Sequence, residues 1–304
     1  MQKYDYAPVL IPTINRYEHF KRCVESLARN THADKTELVI GLDYPPSDKY
    51  IEGWKKICNY VDNITGFKQV TILKATKNRG VKGNFEVIKE CALSKYDTYI
   101  ITEDDNEFSP CFLDYVNKAL KKYWDDKKVY AISGYNFPID MSGYDKNVYF
   151  YHDQSAWGVA KWKHKQKTIT EAFAKSILHK PKALWKIYRK DSQLFFLLLS
   201  MIAKKTFWGD AMTGISNILN DQLVLYPAVS MCRNHGHDGS GLNGGISKGE
   251  DIFIKQLIDD RTIFNLDEIK VKEETIESIE QYFKMPLIRK LSCVKQYLKY
   301  LLDR

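Results

Sequence analysis

The sequence has no apolar run long enough to cross a bilayer. Its longest, Leu194 to Ala203, is about half of the roughly 20 residues a spanning helix needs. The opening residues lack the basic start, apolar stretch and small-residue cleavage site of an export signal, so the chain is expected to be made and kept in the cytoplasm. Its six cysteines form no C-x-x-C pair and have no nearby C-x-x-H partner, which argues against structural zinc and for reduced, buried thiols. Internal repeats and low-complexity linkers are absent as well. With 304 residues, 44% of them hydrophobic, the chain has the material for a large core, which excludes intrinsic disorder.

Neither sign of charge dominates overall, but the placement is uneven. Lys and Arg outnumber Asp and Glu 46 to 38, a net +8. Twelve basic residues fall between Lys161 and Lys205, opposed there only by Glu171 and Asp191, and six fall between Lys284 and Arg304, opposed by Asp303 alone. These two stretches carry a surplus of fifteen positive charges, which leaves the rest of the chain at −7. An acidic body of that kind repels a polyphosphate backbone, so nucleic acid is not expected as a partner.

What the sequence does have is alternation. Val9 to Thr13, Leu38 to Leu42, Val70 to Leu73 and Thr98 to Thr102 are short apolar runs read as strands. Helical periodicity follows the first three, through Phe20, Cys23, Val24 and Leu27, then Ile51 to Val61, then Phe85, Val87, Ile88 and Cys91. Such units predict an α/β fold with a mostly parallel sheet flanked by helices, whose ligand crevice lies at the carboxyl ends of the strands. Asn15 and Arg16, Asp43, Asn78 to Lys82 and Glu103 to Asp105 all fall at those ends. A helix from Phe112 to Trp124 and a strand from Val129 to Ser133 continue the pattern, and the second half is less regular.

Glu103, Asp104 and Asp105 directly follow a buried strand, and like charges held that close repel. A divalent cation relieves the repulsion. Hard oxygen ligands suit Mg²⁺ or Mn²⁺, whose other positions are commonly filled by water and phosphate oxygens, so a metal diphosphate is the expected guest. A solvated acidic turn is the alternative reading.

The run from Ile101 to Phe112, ITEDDNEFSPCF, resembles the E-D-D-x-E-x-x-P-x-F signature of the N-acetylglucosaminyltransferase I family and of bacterial family-2-type glycosyltransferases, enzymes of the A-type fold. The likeness extends in order over most of residues 6 to 245. Pro8 to Ile11 with Arg16 resembles the first strand and its nucleotide-contacting arginine, Asp43 the aspartate set on the base, and Ser133 to Asn136 the S-x-x-N after the fifth strand. The resemblance implies a nucleotide-sugar donor held by Thr13, Arg16, Asp43, Lys82, Glu103 and Asp104, with Asp105 as the direct ligand of Mn²⁺ or Mg²⁺. His237 matches a late histidine that completes the metal shell in many A-type enzymes.

Phe207-Trp208-Gly209-Asp210 is similar to the W-D-D-W of the related family, whose second aspartate is the base, although Gly209 and Ala211 depart from it. Transfer with inversion needs a carboxylate opposite the leaving diphosphate to take the proton of the attacking hydroxyl, with a metal in place of an acid catalyst. Asp210 is the candidate, a plain helix N-terminal carboxylate is the alternative, and Asp153, Asp221 and Asp238 are rivals. The glycine-rich stretch Asn234 to Gly241 suits either direct phosphate contact or closure over a bound donor. Trp157 and Trp162 are expected in the acceptor floor or in the core.

The sequence is therefore expected to encode a metal-dependent, inverting glycosyltransferase, transferring a hexosyl or N-acetylhexosaminyl group to a glycan or lipid-linked acceptor in surface-polysaccharide synthesis. A sugar nucleotidyltransferase fits less well because Pro12 to Arg16 contains no glycine for a nucleotide loop, and a non-catalytic glycan-binding protein is a third reading. Residues 1–135 are expected to form the nucleotide-sugar- and metal-binding half, 136–250 the acceptor-binding and catalytic half of the same domain, and 251–304 a C-terminal helical appendage. The basic stretches adjoin apolar residues, Phe195 to Leu199 in one and Leu287, Leu291, Val294, Leu298 and Leu301 in the other. That pairing suits peripheral contact with an anionic membrane at its inner face, against the plain reading of a solvated lysine-rich surface.

Overall fold

A computed structural model describes residues 6–167, 169–241, 245–246, 251–264, 266, 270–272 and 276–303. Glu250, the last residue of the expected acceptor-binding half, and Arg304, the last of the second basic stretch, lie outside the described residues. The first half alternates as expected: β1 (Val9–Thr13), α1 (Tyr17–Ala28), β2 (Glu37–Leu42), α2 (Ile51–Val61), β3 (Gln69–Ile72), α3 (Gly80–Leu93) and β4 (Thr98–Ile101). β1 pairs in parallel with β2 and β4, and β2 with β3. β2 is buried along its whole length, which is why ELVIGL reads as a nearly unbroken apolar run. Gly41 has a packing reason: a Cβ there would stand 2.7 Å from Asn84 Oδ1, and Asn84 Nδ2 donates to the Gly41 carbonyl at 2.7 Å, clamping α3 onto the strand.

Next along the chain come β5 (Asn106–Phe108), α4 (Phe112–Lys122), β6 (Val129–Ser133), β7 (Val148–Tyr151) and β8 (Val159–Trp162). The helices α5 (Glu171–Ile177), α6 (Pro181–Lys190), α7 (Ser192–Lys204) and α8 (Gly209–Leu219) then precede β9 (Leu223–Pro227) and β10 (Cys232–Asn234). Last are α9 (Ile252–Lys255), α10 (Glu277–Tyr282) and α11 (Leu287–Leu302). The main sheet runs β3-β2-β1-β4-β8-β6-β9-β7, and β10 and β5 make a separate two-stranded ribbon. β8 enters antiparallel between β4 and β6, a pairing the sequence pattern did not signal.

The largest core lies between the sheet and the layer of α1, α2 and α4, and it takes in Phe264 and Ile279 from the C-terminal segment. A smaller one packs α3 on the opposite face. A third unites α5 to α8, with Tyr297 and Tyr300 of α11 against it. Trp162 belongs to the main core: it is fully buried, its indole N–H donates to the Leu120 carbonyl, and Lys165 Nζ sits 3.7 Å from its ring centroid. It is therefore no part of an acceptor floor. Among the described residues no helix is long and apolar enough to cross a membrane.

Candidate active site

The ends of β1 and β4 lie side by side, so the residues that follow each strand meet. The Thr13 hydroxyl donates to Asp104 Oδ2 at 2.7 Å. Arg16 spans both aspartates, with Nη1 2.7 Å from Asp105 Oδ2 and Nη2 bonded to Asp104 Oδ1. Asp104 and Asp105 are buried. Burial works against the Arg16 charge, but the two carboxylates more than offset it and hold the guanidinium above its ordinary pKa. Burial likewise pushes Asp104 up, while Arg16 and the Thr13 hydroxyl pull it down.

A second contact to Asp105 comes from more than a hundred residues away. β10 pairs antiparallel with β5, setting Asn234 opposite Asn106, and Asn234 Nδ2 donates to Asp105 Oδ1 at 2.7 Å. The His235 amide donates to the Asp105 carbonyl at 2.9 Å. At Gly236 a Cβ would fall 2.1 Å from Asp105 Oδ2, so no other residue fits without displacing the carboxylate. The ribbon has its own charge network: Glu107 Oε2 accepts from His235 Nε2 and Arg233 Nε, each at 2.8 Å. The His235 bond leads in holding Glu107 down at about 2, against burial. His19 joins this edge, with Nε2 3.0 Å from the His235 carbonyl and 3.2 Å from Asp238.

On the other side, Trp157 Nε1 donates to Glu103 Oε2 at 3.0 Å, making Trp157 the tryptophan that reaches the site. Glu103 and Asp210 are both open to solvent, yet protein surrounds them closely enough to raise both carboxyls. For Glu103 burial leads and Asp105 adds; for Asp210 burial leads and Lys161 opposes it. Water reaching the two groups screens these effects, so the direction matters more than the size. Asp210 stands in the first turn of α8, with Gln154 Nε2 3.4 Å from Oδ1. Its charge also contributes to raising Glu103 and Asp153, which links it electrically to the acidic motif. Asp153 is held at about 7, mainly by burial. Asp221 lies past the far end of α8, paired with Lys186 at 2.7 Å, and is thereby removed from the rivals.

Asp43 accepts from the backbone N–H groups of Tyr44 and Arg79 at 2.8 Å and from the Asn78 amide at 3.3 Å, pinning the loop ahead of α3. Lys82 is exposed on the first turn of that helix. Ser133 and Asn136 are buried and internally satisfied: Ser133 Oγ donates to the Tyr135 carbonyl, and Asn136 binds the Ala228 carbonyl and the Tyr149 hydroxyl. His237 stacks on Phe253 with centroids 4.3 Å apart, its Nδ1 4.0 Å from Asp251. Among the described residues no three His, Cys, Asp or Glu side chains are placed to hold a metal unaided. Gln154 and Lys161 are contributors that the sequence reading did not single out, and Asn234, expected in a phosphate-contacting or closing stretch, instead bonds Asp105. Their signal is topological, since each reaches the site through a strand pairing or a loop rather than through a motif.

The sequence profile described as Glycosyl transferase family 2 matches residues 9–187, more than half of the chain. The chain belongs to that family. Membership makes it a glycosyltransferase and sets aside the nucleotidyltransferase and binding-only readings; of the two likenesses drawn from the acidic motif, the family-2 one is supported. Among curated proteins none matches. Solved structures similar to this family-2 chain include a mannosyltransferase from Pyrobaculum calidifontis in complex with GDP-Man and Mn²⁺, 13% identical, covering 72% of each chain with a TM-score of 0.37. Residues 1–349 of TarS from S. aureus are likewise 13% identical, with a TM-score of 0.37, over 72% of this chain and 59% of that one.

Proposed function

We propose that this glycosyltransferase moves a hexosyl or N-acetylhexosaminyl group from a nucleotide-sugar donor to a glycan or lipid-linked acceptor, with inversion, dependence on Mn²⁺ or Mg²⁺, and a role in surface-polysaccharide synthesis at the inner face of an anionic membrane. The observation that carries it is the buried Asp104 and Asp105 pair gathered by Arg16 at the ends of β1 and β4, with Trp157 holding Glu103 beside it.

Asp105 fits a hard divalent ion. It offers hard carboxylate oxygens, and Glu103 and Asp104 beside it add negative charge that a cation relieves. Asp105 would hold the ion together with donor phosphate oxygens, and His237 would join from its loop. When bound, the ion neutralises the charge growing on the leaving diphosphate. Thr13 and Arg16 fix Asp104 for the ribose or sugar, Asp43 serves the base, and Lys82 supplies positive charge toward the phosphates. Trp157 orients Glu103 and presents a ring for stacking on a sugar. Asp210, accessible and raised by its surroundings, takes the proton of the acceptor hydroxyl as it attacks the anomeric carbon.

Thermal stabilisation by a panel of nucleotide sugars with Mn²⁺ tests this reading. One donor is expected to stabilise the protein only with the metal, and Asp105→Ala is expected to abolish that response. An unchanged response in the variant would mean the acidic motif does not bind the metal diphosphate.

A further inference from the structure

The fold brings the two basic stretches together. α11 packs along α7, and between them and α5 lies a cavity of about 500 Å³ whose wall carries Lys175, Lys204, Lys205 and Lys299 with Tyr300 and Asp303. Lys175 pairs with Glu171, but Lys204, Lys205 and Lys299 meet no carboxylate within salt-bridge range among the described residues. Lys205 is also the left-handed residue that ends α7, at φ 54°, a position where glycine is the inexpensive choice. A cation is thus kept where the backbone would prefer no side chain.

Beside the cavity α11 turns an apolar face outward. Leu287, Ile288, Leu291, Leu298, Leu301 and Leu302 are all exposed, Ile288 at 83% and Leu302 at 87%. At about 100° per residue they fall within an arc of roughly 140° that also holds the exposed Lys295, with Lys299 on one border and Lys290 near the other. Lys290 Nζ lies 5.5 Å from the Phe196 ring centroid, Phe196 touches Tyr188, and Tyr188 stacks on Trp185, which is 62% exposed. The strip is therefore bounded by a lysine pocket on one flank and by aromatic rings of the interfacial kind on the other.

We infer that this surface seats the protein on an anionic bilayer, with the α11 strip entering the headgroup boundary and the lysine pocket taking a lipid phosphate. A soluble phosphate would need no apolar strip. A second copy of the chain, packed strip to strip about a two-fold axis, would set lysine-bearing flanks against each other. Anionic lipid satisfies both halves of the surface. The inference rests on the membrane part of the proposed function and names the surface and chemistry responsible; it leaves the sugar-transfer site untouched.

Sedimentation with vesicles of phosphatidylglycerol and phosphatidylcholine, compared with phosphatidylcholine alone, tests it. Binding is expected only with the anionic lipid and is expected to weaken with salt. A triple K204Q/K205Q/K299Q variant is expected to lose about tenfold or more in vesicle affinity, and L287S/I288S/L302S, at exposed positions, a comparable amount. Donor hydrolysis by both variants should match the parent protein, which separates failure here from failure of the catalytic reading. Unchanged vesicle binding in the lysine variant overturns the pocket assignment. Stabilisation by inorganic phosphate with no vesicle binding overturns the bilayer assignment, as does a lipid-free dimer, seen by ultracentrifugation, that the serine variant dissociates.

Discussion

Arg16 and Asp210 do opposite work at the site. Arg16 supplies an internal positive charge that allows two buried aspartates to sit side by side, so the chain itself offsets part of the acidic motif's charge and leaves the rest to the proposed cation. Asp210 is not compensated in that way: it has a long contact to Gln154 and feels Lys161, while its side chain remains open to solvent. An accessible carboxylate with few partners is free to accept a proton. Replacing Asp210 with Asn removes that capacity while keeping its shape, and transfer is expected to fall by roughly 10²-fold or more with donor affinity nearly intact. Parallel measurement of kcat and of donor affinity by calorimetry checks this. Transfer that survives the change would shift the role to Asp153.

The β5–β10 ribbon brings Asn234 and Gly236 to Asp105, and its most strongly shifted charge is Glu107. A carboxylate held at about 2 against an ordinary 4.5 favours the fold when ionised. Its contribution is complete above the ordinary value and is lost as pH falls through the window toward 2. Glu107→Gln is expected to lower stability at neutral pH by about 1–3 kcal/mol and to flatten the acid limb of stability between those values. Melting temperatures from pH 2 to 7 report both effects, and a variant as acid-sensitive as the parent would contradict them. This ribbon also marks where sequence reading reached its end. The first four strands were legible because each is a continuous apolar run, three of them followed by a helical period, and the acidic motif because three carboxylates close the fourth. β5 and β10 are three residues each, and β8 is four, too short to show a period. What fixes them is pairing across long separations, as in Ile101 with Val159. The same gap explains the tryptophans: neither spacing nor composition told buried Trp162 from Trp157, which caps Glu103.

At the scale of the whole molecule, the C-terminal segment adds to the main core and does not merely trail from it. Phe264 is fully buried against Tyr115 of α4, with ring centroids 4.8 Å apart, and Lys118 Nζ donates to its carbonyl. Phe264→Ala is expected to cost about 3–5 kcal/mol while the protein keeps a single unfolding transition by calorimetry. A separate low-temperature transition would show that the segment melts on its own. The sheet has a mechanical consequence too. β8 is bonded to β4 on one side and β6 on the other, and Trp157 stands just before it with its indole on Glu103. β4, which leads into the acidic motif, and β6 are thus riveted by one antiparallel strand. Pulling β4 away from β6 would therefore mean unzipping β8 from both, and with it the indole that holds Glu103.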